Sequence, residues 1–105
     1  MGICVNLDNF KSGKFLDIQS SEAKNYLIDK IERITNTKYD FHNNENHILL
    51  NKENLYEIKR EISINIKELS IKILCDKKVN SEFYYDLIKI YNFIIDNNEA
   101  TFFVS

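Results

Sequence analysis

Three groupings of side chains in this sequence are able to do chemistry. His42, Glu45 and His47 fall within six residues, and imidazole with carboxylate is a ligand set for zinc. Spacing fixes no further ligand, and His42-Asn43-Asn44-Glu45-Asn46 reads as a hairpin tip, since asparagine tolerates turn geometry. Two loop histidines are the simpler reading, and a small metal-dependent hydrolase using His42, Glu45 and His47 is the alternative from another class. Cys4 and Cys75 would each need a neighbouring base to become nucleophiles, and nothing in the sequence brings either histidine to either thiol. Both read instead as small buried hydrophobes in a reducing compartment. Glu22-Ala23-Lys24 and Glu57-Ile58-Lys59 have the Glu-x-Lys spacing of metal-dependent nucleases. Both fall in helical patterns, where residues two apart point in different directions. With only Gly2 and Gly13 in the chain, there is no P-loop, dinucleotide fingerprint or nucleophile elbow. The sequence therefore assigns no catalytic residue, cofactor or metal.

What remains is a surface. Read as one helix at about 100° per residue, the run from Asn51 to Cys75 places Leu55, Ile58, Ile62, Ile66, Leu69 and Ile73 in one sector, a core face. Almost opposite stand Glu53, Glu57, Glu61 and Glu68, with Ile64 and Ile71 among them; Lys52, Lys59, Arg60 and Lys67 fill one flank. Carboxylates at i,i+4 repel by a few tenths of a kcal/mol per pair, so Glu53-Glu57-Glu61 is not the best arrangement for stability alone. A row of carboxylates around two isoleucines suits a basic protein partner, because charge steers encounter and desolvated apolar side chains anchor it. A solvated helix face is the ordinary explanation of the same stripe, and a second copy of the chain covering Ile64 and Ile71 is another. The candidate partner-binding residues are Glu53, Glu57, Glu61, Ile64, Glu68 and Ile71, with Asp40, Asn44 and Glu45 at the hairpin tip as second choice.

The elements that must carry this surface follow from periodicity. Ile3, Val5 and Leu7 alternate with polar neighbours as in a half-buried strand. Asp8 to Gly13 is turn material, and Lys14 to Ile18 returns as the second strand of a hairpin. Ser20 or Ser21 caps a helix to about Thr35, with Glu22 in its first turn. Tyr39 and Phe41, then His47 to Leu50, read as a second hairpin. Asn51 caps the long helix; its rival is a pair of strands through Ile62-Ile64-Ile66 and Ile71-Ile73, which would have to turn at Glu68 and Leu69 with no turn-forming residue. A helix ending near Leu69 with a short extended piece to Cys75 lies between the two. After Asp76-Lys77-Lys78, Asn80 or Ser81 caps a last helix with Phe83, Tyr84, Leu87, Ile88, Tyr91, Ile94 and Ile95 as its apolar stripe. Asn97 and Asn98 suit a left-handed helix end, and Ala100 to Val104 is a closing strand. The expected fold is a single α+β domain over 1–105: a small antiparallel sheet packed against three helices.

Composition bounds the partners. The 105 residues carry a formal charge of −2, which argues against a nucleic-acid-binding domain, normally marked by a basic stripe. Tyr84, Tyr85 and Tyr91 lie beside Lys77 and Lys78, but Tyr84 and Tyr91 fall on the core stripe, so packing rather than base stacking is their expected role. No apolar run approaches the ~18 residues of a membrane span, and Met1 to Leu7 lacks the basic start and apolar core of a signal peptide. A cytoplasmic protein is expected, free of membrane and nucleic acid.

Taken together, these elements resemble those of small bacterial immunity proteins that neutralise a contact-dependent or polymorphic toxin. The resemblance rests on Met1-Gly2-Ile3-Cys4-Val5-Asn6-Leu7, on Ile48-Leu49-Leu50-Asn51 leading into Leu55-x-x-Ile58-x-x-Glu61-Ile62, and on a last helix running through Asn97-Asn98-Glu99 into Ala100-Thr101-Phe102-Phe103-Val104. Similar sequences continue into a Gly-Asp pair that does not follow Ser105 here. The resemblance implies an intracellular, non-catalytic inhibitor that occupies a toxin's active site or the surface beside it, the toxin being a basic nuclease in the leading reading. It transfers no functional residue, because toxin-facing surfaces differ between relatives. A phage-encoded inhibitor of a bacterial defence complex shares every feature cited.

Overall fold

Alternation in the first eighteen residues produces the expected hairpin. In the computed structural model, which describes residues 3–38 and 46–105, β1 (Val5–Asn9) pairs antiparallel with β2 (Lys14–Ile18), Val5 opposite Ile18 and Asn9 opposite Lys14. The turn is built by Asn9, whose Oδ1 accepts from the backbone N–H groups of Lys11 and Ser12 at 3.1 and 3.3 Å. Gly13 closes it at φ 76°, a conformation that costs glycine least. β3 (Asn46–Leu50) and β4 (Ala100–Val104) complete a sheet of order β2-β1-β4-β3, antiparallel throughout. The first and last strands of the chain thus lie side by side at its centre. The strand expected through Tyr39 and Phe41, like the hairpin-tip candidates Asp40, His42, Asn44 and Glu45, lies outside the described residues; among the described residues β3 pairs with β4.

All three helices cover one face of this sheet. α1 (Ser21–Thr35) starts at Ser20, whose side chain accepts from Ala23 N–H, and ends at Asn36 in the left-handed conformation, φ 52°. α2 (Lys52–Leu74) is a single helix of 23 residues, about 34 Å at 1.5 Å per residue, so the paired-strand and shortened-helix alternatives do not occur. Asn51 caps it in a reciprocal box with Asn54, each side chain accepting from the other's backbone N–H at 2.8 and 3.1 Å, an arrangement worth roughly 1 kcal/mol. Its end is a Schellman turn: Asp76, at φ 59°, donates to Ile73 O and Lys77 donates to Lys72 O, at 3.0 and 2.9 Å. α3 (Ser81–Asp96) is capped by Asn80. None of these helices is long and apolar enough to cross a membrane.

The core lies between the helices and the inner face of the sheet. Val5, Leu7, Phe102 and Val104 from the central strands meet Leu27 and Ile31 of α1, Leu55, Ile58 and Ile62 of α2, and Leu87 and Ile90 of α3, all buried. The helical periods placed most of these correctly. α3 is turned from the expectation: its buried side runs through Asp86, Leu87, Ile90, Phe93 and Ile94, whereas Ile95 is exposed and Tyr84 and Tyr91 are half-buried. The cause is polar. Asp86, Ile90, Phe93 and Asn97 form one row on α3, and the two ends of that row are hydrogen-bonded inside the protein. Asp86 Oδ2 accepts from Ser20 N–H at 2.8 Å. Asn97 Oδ1 accepts from Asn9 Nδ2 and Ser12 Oγ at 2.8 and 3.1 Å, while its Nδ2 donates to Phe93 O. Asn97 is therefore extended, φ −134°, rather than left-handed, because its side chain is held by β1 and the hairpin turn. Cys4 and Cys75 are both exposed, not buried as expected: Cys4 lies just before β1, and Cys75 caps an α2 that has run past the core.

Asp86 is 3% exposed, and its removal would leave the Ser20 N–H without its acceptor. An unsatisfied buried donor costs about 1–3 kcal/mol, so Asp86→Ala should lower the urea midpoint accordingly. Asp86→Asn, which keeps a carbonyl acceptor, should lose less. Equal midpoints for wild type and Asp86→Ala would show that the bond contributes nothing.

Candidate protein-binding surface

Because α2 forms one helix, its outer face exists as the periodicity requires. Ile64 and Ile71, seven residues apart and so about 10 Å apart along the helix, are 55% and 51% exposed on the side turned from the core. Glu68 is exposed between them; Glu53, exposed, and Glu57, half-buried, lie on the same face nearer the start of the helix. The helix also overshoots its support: Leu69 is half-buried, but Ile73, expected on the core face, is exposed, and Leu74 is 85% exposed. The last turn thus adds apolar surface beyond Ile71.

The carboxylates are not equivalent. Glu61 faces α1, where Arg33 Nη2 donates to its Oε1 and Lys30 Nζ lies 3.9 Å from its Oε2. Glu57 is bridged by Arg60 on its own helix at 3.3 Å. Glu53 and Glu68 have no ion pair among the described residues. Glu61 is thereby part of the α1–α2 seam, whereas Glu53, Glu57 and Glu68 lie along the same outer face as the two isoleucines, Glu68 between them. Lys59, on the basic flank, lies 5.5 Å from the Tyr56 ring centroid, which draws that cation away from the stripe.

The seam has its own electrostatics. Tyr26 OH accepts from Asn65 Nδ2, and Lys30 Nζ sits 5.2 Å from the Tyr26 ring centroid. Burial raises the Tyr26 pKa above its ordinary value by disfavouring the phenolate; the Asn65 hydrogen bond and Arg33 oppose the rise, while Glu61 and Glu68 add to it.

Catalytic geometry is not what this surface offers. The two Glu-x-Lys motifs lie on α1 and α2, as their spacing suggested. Among the described residues no three His, Cys, Asp or Glu side chains are gathered so as to hold a metal ion. His47, the described member of the histidine pair, is exposed on β3 with its ring 5.9 Å from that of Phe103.

Sequence reasoning missed a second surface, the outer face of the sheet. Phe10 and Phe15 are 69% and 58% exposed and Leu49 is 77% exposed. The signal was present, because the alternation that buries Leu7 and Leu16 must turn Asp8 and Phe15 outward. What the sequence did not supply was that all three described helices would pack on the other side. No family model matches the chain, and no curated protein or solved structure matches it either.

The raised Tyr26 pKa fixes the sign of a pH effect. The neutral phenol is favoured in the folded state, so its contribution is intact below pH 10 and is lost as the pH climbs above 10 through the raised value. Tyr26→Phe should therefore show a shallower alkaline loss of stability than wild type between pH 9 and 12, monitored by thermal unfolding. Parallel curves would contradict the assignment.

Proposed function

We propose that this chain is a non-catalytic protein that binds a basic protein partner through the outer face of α2, and that the partner is a toxin it neutralises inside the producing cell. One observation carries the binding surface: Ile64 and Ile71 stand exposed on an unbroken helix with Glu68 between them, and Glu57 and Glu53 precede them along the same face. Side chains of this type, set beside charge, desolvate on docking and act as anchors. The carboxylates accelerate encounter with a basic surface and fix its register. The overhanging Leu74 lies next to the same contact, whereas Ile73 is on the opposite side of the helix. Glu61, held by Arg33 and Lys30, positions α2 against α1 and presents the face without touching the partner. The toxin, a nuclease in the leading reading, comes from the resemblance to immunity proteins in the opening strand, the β3–α2 junction and the last helix and strand. Inhibition of this kind works by occupation and requires no reactive group.

The double variant Glu57→Lys, Ile64→Asp alters only exposed or half-exposed positions and should keep the helical circular dichroism and melting temperature of wild type. Used as bait in lysate of the source cells, wild type should retain a stoichiometric basic protein that the variant loses by at least about tenfold in affinity. Equal retention by the folded variant would move the interface off α2.

A further inference from the structure

The register places eight outward-facing side chains in two rows across the sheet. Phe15, Asp8, Thr101 and Leu49 form one row, and Asp17, Asn6, Phe103 and His47 the other. Neighbours within such a row have Cβ atoms about 4.5–5.5 Å apart. Phe10, just after β1, reaches back along this face to meet the Phe103 ring edge-on at 6.0 Å between centroids. Thr101 is buried although it points away from the helices, which matches Phe10 lying across its row. Between Phe10 and Leu49 is a concavity of about 430 Å³ that also takes in Asp8 and Thr101, with Lys11 and Glu99 at its edge. Lys11 and Glu99 pair with each other at 3.0 Å. Asp8 is half-buried, and its carboxylate has no hydrogen bond or ion pair among the described residues.

We infer that this concavity is a second docking site, and that it takes an arginine flanked by apolar side chains on a protein partner. The argument is charge complementarity within an aromatic frame. A partly desolvated carboxylate without a cation of its own favours one from outside, and a guanidinium is the cation that also stacks on aromatic faces. Phe10 supplies such a face in the concavity beside Asp8, Phe15 stands on the other side of Asp8 across the sheet, and Leu49 supplies the apolar wall. The same charges disfavour the other occupants. Exposed aromatics on an open sheet are a platform for single-stranded nucleic acid, but Asp8 and Asp17 stand where phosphates would have to approach. Face-to-face pairing with a second copy would set these carboxylates against their own kind. The site lies across the sheet from the helices and does not depend on the α2 reading.

The test is ¹⁵N-resolved titration of the whole chain with acetyl-Phe-Arg-Leu-amide and with the same peptide carrying citrulline, which keeps the shape and loses the charge. The arginine peptide should shift the amides of Asp8, Phe10, Leu49 and Thr101 and bind at least tenfold more tightly than the citrulline peptide. Asp8→Asn, nearly isosteric, should abolish that difference, and Leu49→Ser should weaken both peptides. Equal binding of the two peptides, or shifts mapping elsewhere, overturns the proposal. Shifts of the same amides by a thymidine decamer, or their dependence on protein concentration alone, would overturn it in favour of nucleic acid or of self-association.

Discussion

Pairing of the first strand with the last is the constraint on which the rest of this molecule depends. β1 and β4 occupy the centre of the sheet, and Val5, Leu7, Phe102 and Val104 on their inner faces are essentially without solvent exposure. Until residues nearly a hundred positions apart in sequence meet, β2 has only β1 to pair with, β3 lacks its partner, and the helices have no common surface to bury. The two polar ties of α3 reinforce the same closure. Asn97 joins the end of α3 to the hairpin turn through Asn9 and Ser12, and Asp86 holds the N-cap of α1. The second turn and the C-terminal end of one helix are thus bound to segments from the start of the chain.

Two consequences of that arrangement create the surfaces. Among the described residues the helices cover one side of the sheet, so several outward side chains of its strands and turn, Phe10, Phe15 and Leu49 above all, remain exposed. The core it supports is also shorter than α2. A helix of 23 residues packed on so small a sheet exhausts its apolar support near Leu69, and its final turns stand proud of the body. Exposed isoleucines on α2 and exposed phenylalanines at the sheet therefore share a cause: among the described residues each element buries one face in the common core and the other is left uncovered.

Element identity was legible in the sequence wherever period and punctuation agreed. Ser20, Asn51 and Asn80 all cap helices, and the six-position apolar face of α2 outweighed the β-propensity of its isoleucines because nothing at Glu68 or Leu69 could turn a strand. Less legible was everything set by polar contacts between distant residues. Asp86 is no part of the apolar stripe that the period picks out, yet the backbone N–H of Ser20, in another part of the chain, holds it inside. Asn97 resembled a helix terminator by residue type, while its actual role depends on Asn9, far away in sequence. Likewise, an acidic stripe gives no indication that Glu61 alone faces Arg33, since this depends on how α1 crosses α2. The open sheet face was hidden for a related reason. Alternation tells which residues share a side, but only the layer arrangement tells which side is covered.

Side-chain oxidation by hydroxyl radicals tests the central claim most directly, comparing Ile64 and Ile71 in the free protein and in the complex with its retained partner. Partner binding through α2 predicts that both isoleucines oxidise readily when free and are strongly protected in the complex, with Leu74 following them. Unchanged rates at Ile64 and Ile71 in a saturated complex would contradict it.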